Sequence, residues 1–489
     1  MQMAIGSRMS SGLIAGAMIF SMLAVATESR GQDKKTAAVD EVFSDLTKQG
    51  SPGCALGVYR DGKIVYSKGY GLANLEQNVA ITPQTVFDIG STSKQFTAAS
   101  ILLLEKQGKL SISDDIRKYL PELPDYGQKI TILHLLNHTS GLRDYLTLME
   151  LAGMNIDGVT TDEDALQIIV RQKALNFPPG SDWLYSNTGY FLLSVIVKRV
   201  SGKTLREFAG ENIFAPLEMS HTQYRDDHTS LVANRAMAYD AKEKGGGYRL
   251  DVSYFEQTGD GAVHTSVEDL QKWDENFYSG QIGGKDFLTE IQEVGKLNNG
   301  KLLLYAKGLH LEDYRGLHTV SHGGSWGGYR AELLRFPEQH FSVACLCNLG
   351  SANPSKRAHQ VADIYLASSM KPHTDTAHTP EKEQSIDVVD MRSDSLSAFA
   401  GNFWSDELRA TYRFENVKGR LILEVIGADG TRHPTASSSN GLVAGAHDVF
   451  RDGDQGLTFH FNRDAKGEVN GFTLDAGRTR GMVFGRVSR

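Results

Sequence analysis

The chain has 489 residues, of which 40% are hydrophobic, 22% charged and 9% aromatic. This composition is typical of a globular protein with a large core, and it excludes disordered, collagen-like and coiled-coil chains. The formal net charge is −8, from 51 Lys and Arg against 59 Asp and Glu, and the sequence has no basic block. Nucleic acid is therefore not expected as a partner, because phosphate binding relies on clustered Lys and Arg.

The N-terminal residues have the pattern of a secretory signal peptide. Arg8 precedes an apolar run over 12–25, and the run passes into the small-residue sequence Ala-Val-Ala at 24–26. A positive start, a short apolar middle and this exit predict cleavage after Ala26. The alternative is an uncleaved anchor, but about 14 residues are fewer than the ~20 that a spanning helix needs. Residues 1–26 are therefore predicted as a signal peptide, and the mature protein as periplasmic or secreted without a membrane span.

The next region, 27–370, combines strand and helix patterns. An Asp-Gly pair at 61–62 separates two apolar runs and predicts a β-hairpin. Apolar residues at three- and four-residue spacing predict helices, and short apolar runs between turn residues predict strands. The predicted helices are Gln95–Lys106, Ala165–Lys173, Gly189–Val200 and Ala358–Met370, and the predicted late strands are Lys301–Gly308, His318–Gly323, Tyr329–Phe336 and Phe341–Leu346. This order predicts one α+β domain, in which an antiparallel sheet joins the early and late parts of the chain around an inserted helical region.

The composition changes at 371–390, where prolines and charges replace apolar periodicity, and this segment is predicted as a flexible linker. Beyond it, residues 391–489 contain short apolar runs, several of which alternate strictly, as in Leu457, Phe459 and Phe461. Short strands at about ten-residue spacing are typical of an antiparallel sheet or barrel. The tail is therefore predicted to fold separately as a small antiparallel β-barrel. Its removal should leave the chemistry intact, whereas substrate choice can depend on it.

The three cysteines are too few for a disulfide framework. Cys345 and Cys347 alternate along a predicted strand, so both thiols lie on one face of it. Cys54 lies in another apolar strand. Buried free thiols are the default interpretation, and a bridge from Cys54 to Cys345 or Cys347 is the alternative that the sequence leaves open.

The first candidate for chemistry is the pair Ser91-x-x-Lys94. If a helix starts near Ser91, the Lys94 amine lies one turn later on the same face, close to the serine hydroxyl. A serine hydroxyl is a poor nucleophile until a neighbour removes its proton, and a desolvated lysine of lowered pKa can do so. Alone, the pair is weak evidence, because Ser91 as a helix N-cap with an exposed Lys94 is the better explanation of a lone match. A second Ser-x-x-Lys occurs at 368–371 without further support.

Two later motifs complete a recognisable set. Tyr185-x-Asn187 lies in a loop that enters a predicted helix, and His322-Gly323-Gly324 ends a predicted strand. Glycines at such a place let a substrate backbone lie close against the strand edge.

Ser-x-x-Lys, Tyr-x-Asn and a basic residue followed by glycine, in this order, resemble the active site of the serine β-lactamase and penicillin-binding protein superfamily. The chain is most similar to the class C β-lactamase-like branch, which contains esterases, D-aminopeptidases and D-Ala carboxypeptidases. The resemblance spans about 39–370, and the tail resembles the lipocalin-like module that is sometimes appended to such enzymes. Further stretches that carry the resemblance are 131–142, 177–190, 216–219, 265–273 and 321–336.

The resemblance implies a β-lactamase/transpeptidase-like fold and a role for each matched residue. Ser91 would be the acylated nucleophile, Lys94 its partner, and Tyr185 the group that shares proton transfer. The residues that would bind substrate are Asn187, His322, Gly323 and Gly324. The oxyanion hole would be formed by the backbone N–H groups of Ser91 and Ser325.

His322 departs from the family pattern, because β-lactamases and carboxypeptidases carry lysine there. Histidine is mostly neutral at pH 7 and cannot serve as a fixed cation for a substrate carboxylate. The sequence therefore favours an exported serine hydrolase that acts through an acyl-enzyme on small esters, amides or D-amino-acid peptides. Two alternatives stay open: a D-Ala-D-Ala carboxypeptidase or class C-like β-lactamase, and a non-catalytic ligand-binding or sensing protein on the same fold.

Two other sequence patterns indicate alternative sites, a nucleophile motif and a histidine pair. The sequence over 323–327 fits G-x-S-x-G, the nucleophile elbow of α/β-hydrolases, with Ser325 as nucleophile, but a predicted strand follows it instead of a helix. His134 and His138 are four apart, yet no glutamate or third ligand accompanies them, so structural roles are favoured over metal binding. The sequence predicts no metal and no cofactor. The expected partner is a small molecule or peptide, cell-wall-derived peptides included, and the sequence says nothing about oligomeric state.

Overall fold

The fold was analysed in a computed structural model. The structure describes residues 34–372, 393–434, 441–445, 448–452 and 456–488. The predicted signal peptide and nearly all of the predicted linker lie outside these described residues.

Helices dominate the region between the early and late strands. Those predicted from periodicity are confirmed, with bounds shifted by a few residues. The helices are α1 (34–42), α2 (Lys94–Lys106), α3 (Ile132–Leu136), α4 (Tyr145–Leu151), α5 (Asp162–Val170), α6 (Asn187–Ser201), α7 (Leu205–Ala209), α8 (Val267–Ser279), α9 (Gly284–Ile291), α10 (Pro354–Leu366) and α11 (Ser393–Leu396).

The strands up to residue 347 include a long early hairpin and a long late meander. They are β1 (Cys54–Arg60), β2 (Lys63–Tyr70), β3 (Leu72–Asn74), β4 (Val79–Ala80), β5 (Phe87–Asp88), β6 (Gln223–Tyr224), β7 (Tyr239–Ala241), β8 (Tyr248–Leu250), β9 (Val263–Thr265), β10 (His310–Tyr314), β11 (Leu317–Trp326), β12 (Tyr329–Phe336) and β13 (Phe341–Cys347). The prediction of a strand over Lys301–Gly308 is wrong. That segment forms only isolated bridges. Leu303, Tyr305 and Ala306 are buried, but Leu302 and Leu304 are 64% and 66% exposed, so the apolar run is not a strand buried on both faces.

The main sheet has the order β10-β11-β12-β13-β1-β2, and each neighbouring pair is antiparallel. It joins the early hairpin to the late meander, as the sequence predicts. Asp61 and Gly62 turn the hairpin with φ of 50° and 71°. Positive φ at both central residues is the geometry of the turn that suits the right-handed twist of a hairpin, which explains the Asp-Gly pair.

The sheet separates two hydrophobic cores. On one face, α1 and α10 cover the sheet with a cluster that includes Phe43, Phe341 and Tyr365. On the other face lie α8 and the helical region, with Phe96 and Trp273 fully buried. This second core fixes the N-terminal end of α2 against β11, and that junction positions the candidate site.

The C-terminal part forms a curled, nine-stranded antiparallel sheet, a half-barrel, which confirms the predicted all-β tail. Alternating aromatic residues of its strands fill the concave side, with Phe414, Phe461 and Phe472 in mutual ring contact. In spatial order the strands are β17 (Arg432–Pro434), β16 (Arg420–Ile426), β15 (Ala410–Val417), β14 (Gly401–Ser405), β22 (Thr479–Val487), β21 (Val469–Ala476), β20 (Leu457–Arg463), β19 (Val449–Asp452) and β18 (Val443–Ala444).

The half-barrel packs against the helical region. Arg143, which precedes α4, pairs with Glu407 of the half-barrel at 2.8 Å, and the two side chains are only 1% and 6% exposed. The Tyr412 hydroxyl donates to the Leu151 carbonyl at the end of α4 at 2.9 Å. Separating the two surfaces would leave an uncompensated charge on each side of a buried pair, so the contact couples the half-barrel to the helical region.

The cysteines form one cross-strand bridge. Cys54 of β1 lies opposite Cys347 of β13, and the two are joined by a disulfide. The sequence left this pairing open against free thiols. Cys345 remains a thiol, and burial raises its pKa to about 12.

Candidate active site

Ser91 lies in a tight 3₁₀ turn, Gly90–Ser93, that leads directly into α2. Gly90 has φ of +48°, and a Cβ there would lie 2.6 Å from the backbone nitrogen of Ser325. A side chain at position 90 would therefore force this turn away from β11. The glycine brings the Ser91 turn against the end of that strand. The second Ser-x-x-Lys, at 368–371, follows α10 and is not part of this site.

Lys94 is the first residue of α2, and its side chain is completely buried. Its ammonium donates to Ser91 Oγ at 3.0 Å, to Asn187 Oδ1 at 2.9 Å and to the backbone carbonyl of Asp260 at 2.6 Å. A lysine has three N–H donors, and these acceptors match them one for one. The amine is therefore held in place beside the serine hydroxyl.

Tyr185 and Asn187 lie where a loop enters α6. The backbone N–H of Asn187 donates to Asp144 Oδ2 at 2.6 Å, which satisfies one of the donors that a helix start leaves unpaired. The Lys94 ammonium lies 4.9 Å from the centroid of the Tyr185 ring. Among the described residues, the buried Tyr185 hydroxyl has no hydrogen-bond partner. An unpartnered buried hydroxyl beside a held amine and a serine is a group available for proton transfer.

The end of β11 closes the site from the other side. A Cβ at Gly324 would lie 1.9 Å from the Ile89 carbonyl oxygen, so only glycine permits this approach. Thr92 Oγ1 donates to the His322 carbonyl at 3.1 Å and fastens the Ser91 turn to the strand. Ser325 lies within β11, and β12 follows after a short turn. A nucleophile elbow needs a helix after the serine, so the α/β-hydrolase alternative is excluded.

His322 is buried, and both its ring nitrogens are engaged. Nδ1 lies 2.6 Å from the Gly323 carbonyl oxygen, and Nε2 lies 3.1 Å from the Tyr305 hydroxyl. Burial, reinforced by the nearby His310 and Lys94 charges, holds the pKa of His322 well below its usual range. The imidazole is therefore neutral at pH 7, and it is not a cation for a substrate carboxylate.

His134 and His138 have separate structural surroundings. His134 Nδ1 accepts from the Thr131 backbone N–H in the capping box of α3. His138 lies beyond that helix, accepts from the Ser186 backbone N–H at 3.2 Å and contacts the Tyr185 ring at 4.2 Å. Burial keeps the pKa of His138 well below its usual range. Neither histidine belongs to a group of described residues close enough to share a metal ion.

Asp260 is a member of the site that no sequence motif indicated. Besides the carbonyl that accepts from Lys94, its carboxylate accepts from the Tyr145 hydroxyl at 3.0 Å. Burial raises the pKa of Asp260 to about 6, against the lowering effect of Lys94. Its contact with the amine runs through the backbone, which explains why residue identity gave no signal.

The matched residues open into one cavity of about 880 Å³. Ser91, Tyr185 and Asn187 lie on its wall, as do His322, Gly323, Gly324 and Ser325 of β11. The cavity also contains a residue of the half-barrel. Arg478, in the turn between β21 and β22, lines it with its guanidinium carbon 4.7 Å from the centroid of the Tyr185 ring.

One protein family and several known proteins match this chain in sequence. Residues 39–367 match the Beta-lactamase family. A penicillin-binding protein of Bacillus subtilis is 29% identical over 388 residues, which are 75% of this chain and 82% of that protein. A D-aminopeptidase of Brucella anthropi is 24% identical over 505 residues, covering 89% of this chain and 95% of that protein.

Solved structures share the fold. The octameric penicillin-binding protein homologue from Pyrococcus abyssi superposes with a TM-score of 0.60 at 23% identity, over 92% of this chain and 99% of that one. D-amino acid amidase from Ochrobactrum anthropi gives 0.59 at 22% identity, over 69% and 99%. In the described part of the chain, the helices are all too short or too polar to cross a membrane.

Proposed function

The chain belongs to the beta-lactamase family and is a serine hydrolase, and from this membership we propose that it cleaves amides, peptides or esters through an acyl-enzyme on Ser91. We further propose that it is exported, because residues 1–26 have the pattern of a signal peptide. Periplasmic or secreted peptides, cell-wall fragments included, would then be within its reach.

In the proposed reaction, Ser91 Oγ bonds to the substrate carbonyl carbon, and its proton passes to the Tyr185 oxygen, which starts the cycle deprotonated beside the Lys94 ammonium. The backbone N–H groups of Ser91 and Ser325 donate to the carbonyl oxygen as it gains negative charge. The bond to the leaving nitrogen or oxygen then breaks, and Tyr185 returns the proton to that atom. Water next attacks the acyl carbon, which releases the acid and restores the Ser91 hydroxyl.

One observation carries the proposal: the buried Lys94 ammonium donates to Ser91 Oγ and is held there by two further acceptors. A lysine with only a structural role at a helix start would extend toward water, where its charge costs nothing. Burial beside a serine hydroxyl is the arrangement that an activated nucleophile needs.

The neutral histidine of β11 and the names of the relatives support a choice among substrate classes. Neutral His322 offers no fixed charge, which disfavours a substrate whose carboxylate must be bound at that strand. D-aminopeptidases and a D-amino acid amidase are among the similar proteins. We therefore place amides and short peptides of D-amino acids first among the substrates.

Acylation can be tested directly by intact-protein mass. A fluorophosphonate should add one adduct, peptide mapping should place it on Ser91, and Ser91→Ala should abolish it. Ser325→Ala is the matched control, since it removes the other serine of the site but keeps its backbone N–H, and it should still be labelled. Tyr185→Phe should lower turnover of a D-alanyl ester by about 10²–10⁴-fold. An adduct on any other residue, or labelling that survives Ser91→Ala, would refute the proposal.

A further inference from the structure

The half-barrel places one arginine in the catalytic cavity. Residues 477–478 form a two-residue turn between β21 and β22, closed by the pairing of Ala476 with Thr479. Gly477 has φ of +49°, which suits the first position of such a tight hairpin turn. Arg478 is therefore at the tip of a short, well-defined hairpin.

Two residues of the helical region hold this tip. Asn176 Nδ2 donates to the Arg478 carbonyl at 2.9 Å, and its Oδ1 accepts from the Arg480 N–H at 2.8 Å. Arg143 donates to the carbonyls of Arg480 and Gly481 at 3.1 and 3.0 Å. The backbone of the tip is thus clamped on both sides, and the direction in which the Arg478 side chain leaves it is fixed.

The N–H donors of the Arg478 guanidinium have no hydrogen-bond acceptor among the described residues. Its Cζ lies 4.7 Å from the centroid of the Tyr185 ring, and Nη1 lies 4.0 Å from Asp144 Oδ2, beyond hydrogen-bond range. Within the described residues, the guanidinium donates no hydrogen bond, and its side chain is 44% exposed. Asp144 is itself committed, because its Oδ2 accepts from the Asn187 N–H at the start of α6. A guanidinium has five donors in a planar fork that matches a carboxylate.

We propose that Arg478 binds a carboxylate on the leaving group of the substrate, which narrows the substrate classes proposed above: peptides and acid-bearing esters are preferred over neutral amides. The proposal rests on the function proposed above. Tyr185 would return the proton to the leaving group, so a cation stacked on its ring lies on the leaving-group side of the reacting carbonyl. His322 leaves β11 without a positive charge at the site, and Arg478 supplies one from the half-barrel hairpin.

A matched pair of esters tests the proposal on the full-length protein. One is N-acetyl-D-alanyl glycolate, with a free carboxylate on the leaving group, and the other is the corresponding glycolamide, which has the same scissile bond. Arg478→Ala should lower kcat/KM for the glycolate by about 10- to 100-fold, the range expected for a charged hydrogen-bonded pair, and leave the glycolamide within about threefold. Arg478→Lys should restore part of the loss, since it keeps the charge but loses the fork.

Arg480→Ala is the matched control. Arg480 lies in the same hairpin, but its side chain pairs with Asp182 at 3.6 Å and does not line the cavity, so neither ester should be affected. Equal losses on both esters in Arg478→Ala, or no loss on either, would overturn the carboxylate assignment while fluorophosphonate labelling of Ser91 still upheld the hydrolase. If neither ester acylates Ser91 in the unmodified protein although a fluorophosphonate labels it, this inference falls and the proposed hydrolase stands. If the fluorophosphonate does not label Ser91 either, both fall.

Discussion

The two cations that face the Tyr185 ring are held in opposite ways. Lys94, at the start of α2, is fully buried and donates to three acceptors. Arg478, at the tip of the half-barrel hairpin, is 44% exposed and, in the part of the chain that the structure describes, donates no side-chain hydrogen bond. A cation that supports proton transfer at the nucleophile must be fixed in place beside it, whereas a cation that recognises a ligand must keep donors for it. The difference separates catalysis from recognition within one cavity.

The buried cation should give the largest effect when it is removed. Lys94→Met keeps most of the side-chain volume but removes the amine that contacts Ser91, so kcat should fall by about 10²–10⁴-fold. Steady-state hydrolysis of an activated D-alanyl ester measures this. Lys307→Met is the matched control, because Lys307 is also buried and its ammonium donates to the Glu290 carbonyl outside the cavity. It should lower thermal stability and leave kcat within about threefold. A similar loss of kcat in both variants would show that burial, not position, explains the effect.

Two neighbouring glycines of β11 test how closely the strand must approach the nucleophile. Gly324→Ala places a Cβ 1.9 Å from the Ile89 carbonyl, so the strand must move away from the Ser91 turn. Loss of one oxyanion donor costs about 10²–10³-fold in kcat, and a loss of that size is expected. A Cβ at Gly323 would lie 3.1 Å from the end of the Glu332 side chain, which can shift, and at an ordinary contact distance of 3.6 Å from the Ala331 carbonyl oxygen. The loss in Gly323→Ala should be at least tenfold smaller, and equal losses would contradict the geometry.

The clamp between the half-barrel and the helical region can be weakened at two ion pairs. Arg143→Met leaves the buried Glu407 carboxylate without its ion-pair partner, so the free energy of unfolding should fall by about 3–5 kcal/mol. The same variant removes the donors that hold the hairpin, so the preference for the glycolate ester should also fall. Lys173→Met breaks a pair with Asp406 across the same interface, but both side chains are about two-thirds exposed, so little change is expected. Denaturant titration of the two variants compares them, and equal destabilisation would refute the clamp.

The catalytic half of the site is predictable because its signals are local in sequence. Ser91 and Lys94 are one helical turn apart, and Tyr185 and Asn187 span a loop-to-helix junction, so spacing carries the chemistry. The resemblance to a family then orders these short motifs along the chain. The glycines at this junction are also explained locally, because a positive φ and a close approach of two backbones both require glycine.

The recognition half is not predictable in this way. Arg478 is an isolated arginine in a hairpin, and its place beside Tyr185 depends on packing between residues about 290 positions apart. Asp260 contributes through its backbone carbonyl, which no side-chain motif marks. The sequence predicts that chemistry survives removal of the tail while substrate choice can depend on it, but it does not indicate which residue of the tail lines the cavity. Alternating strands predict a half-barrel, but they do not predict the surface on which it rests.

A buried acid of the cavity, Glu332, should give the smallest of the expected effects, a change with pH in the free energy of unfolding. Glu332 of β12 lines the cavity, and burial raises its pKa to about 7. The folded carboxyl therefore keeps its proton up to about pH 7, while the unfolded one loses it near pH 4.5. Between these values the folded state binds more protons, so this carboxyl's contribution to stability falls as pH rises and levels off above about 7. The free energy of unfolding of the native protein, relative to Glu332→Gln, should fall by up to about 3 kcal/mol between pH 4.5 and 7. Denaturant titrations of both proteins across this range measure the difference, and a constant difference would show that Glu332 is ionised throughout.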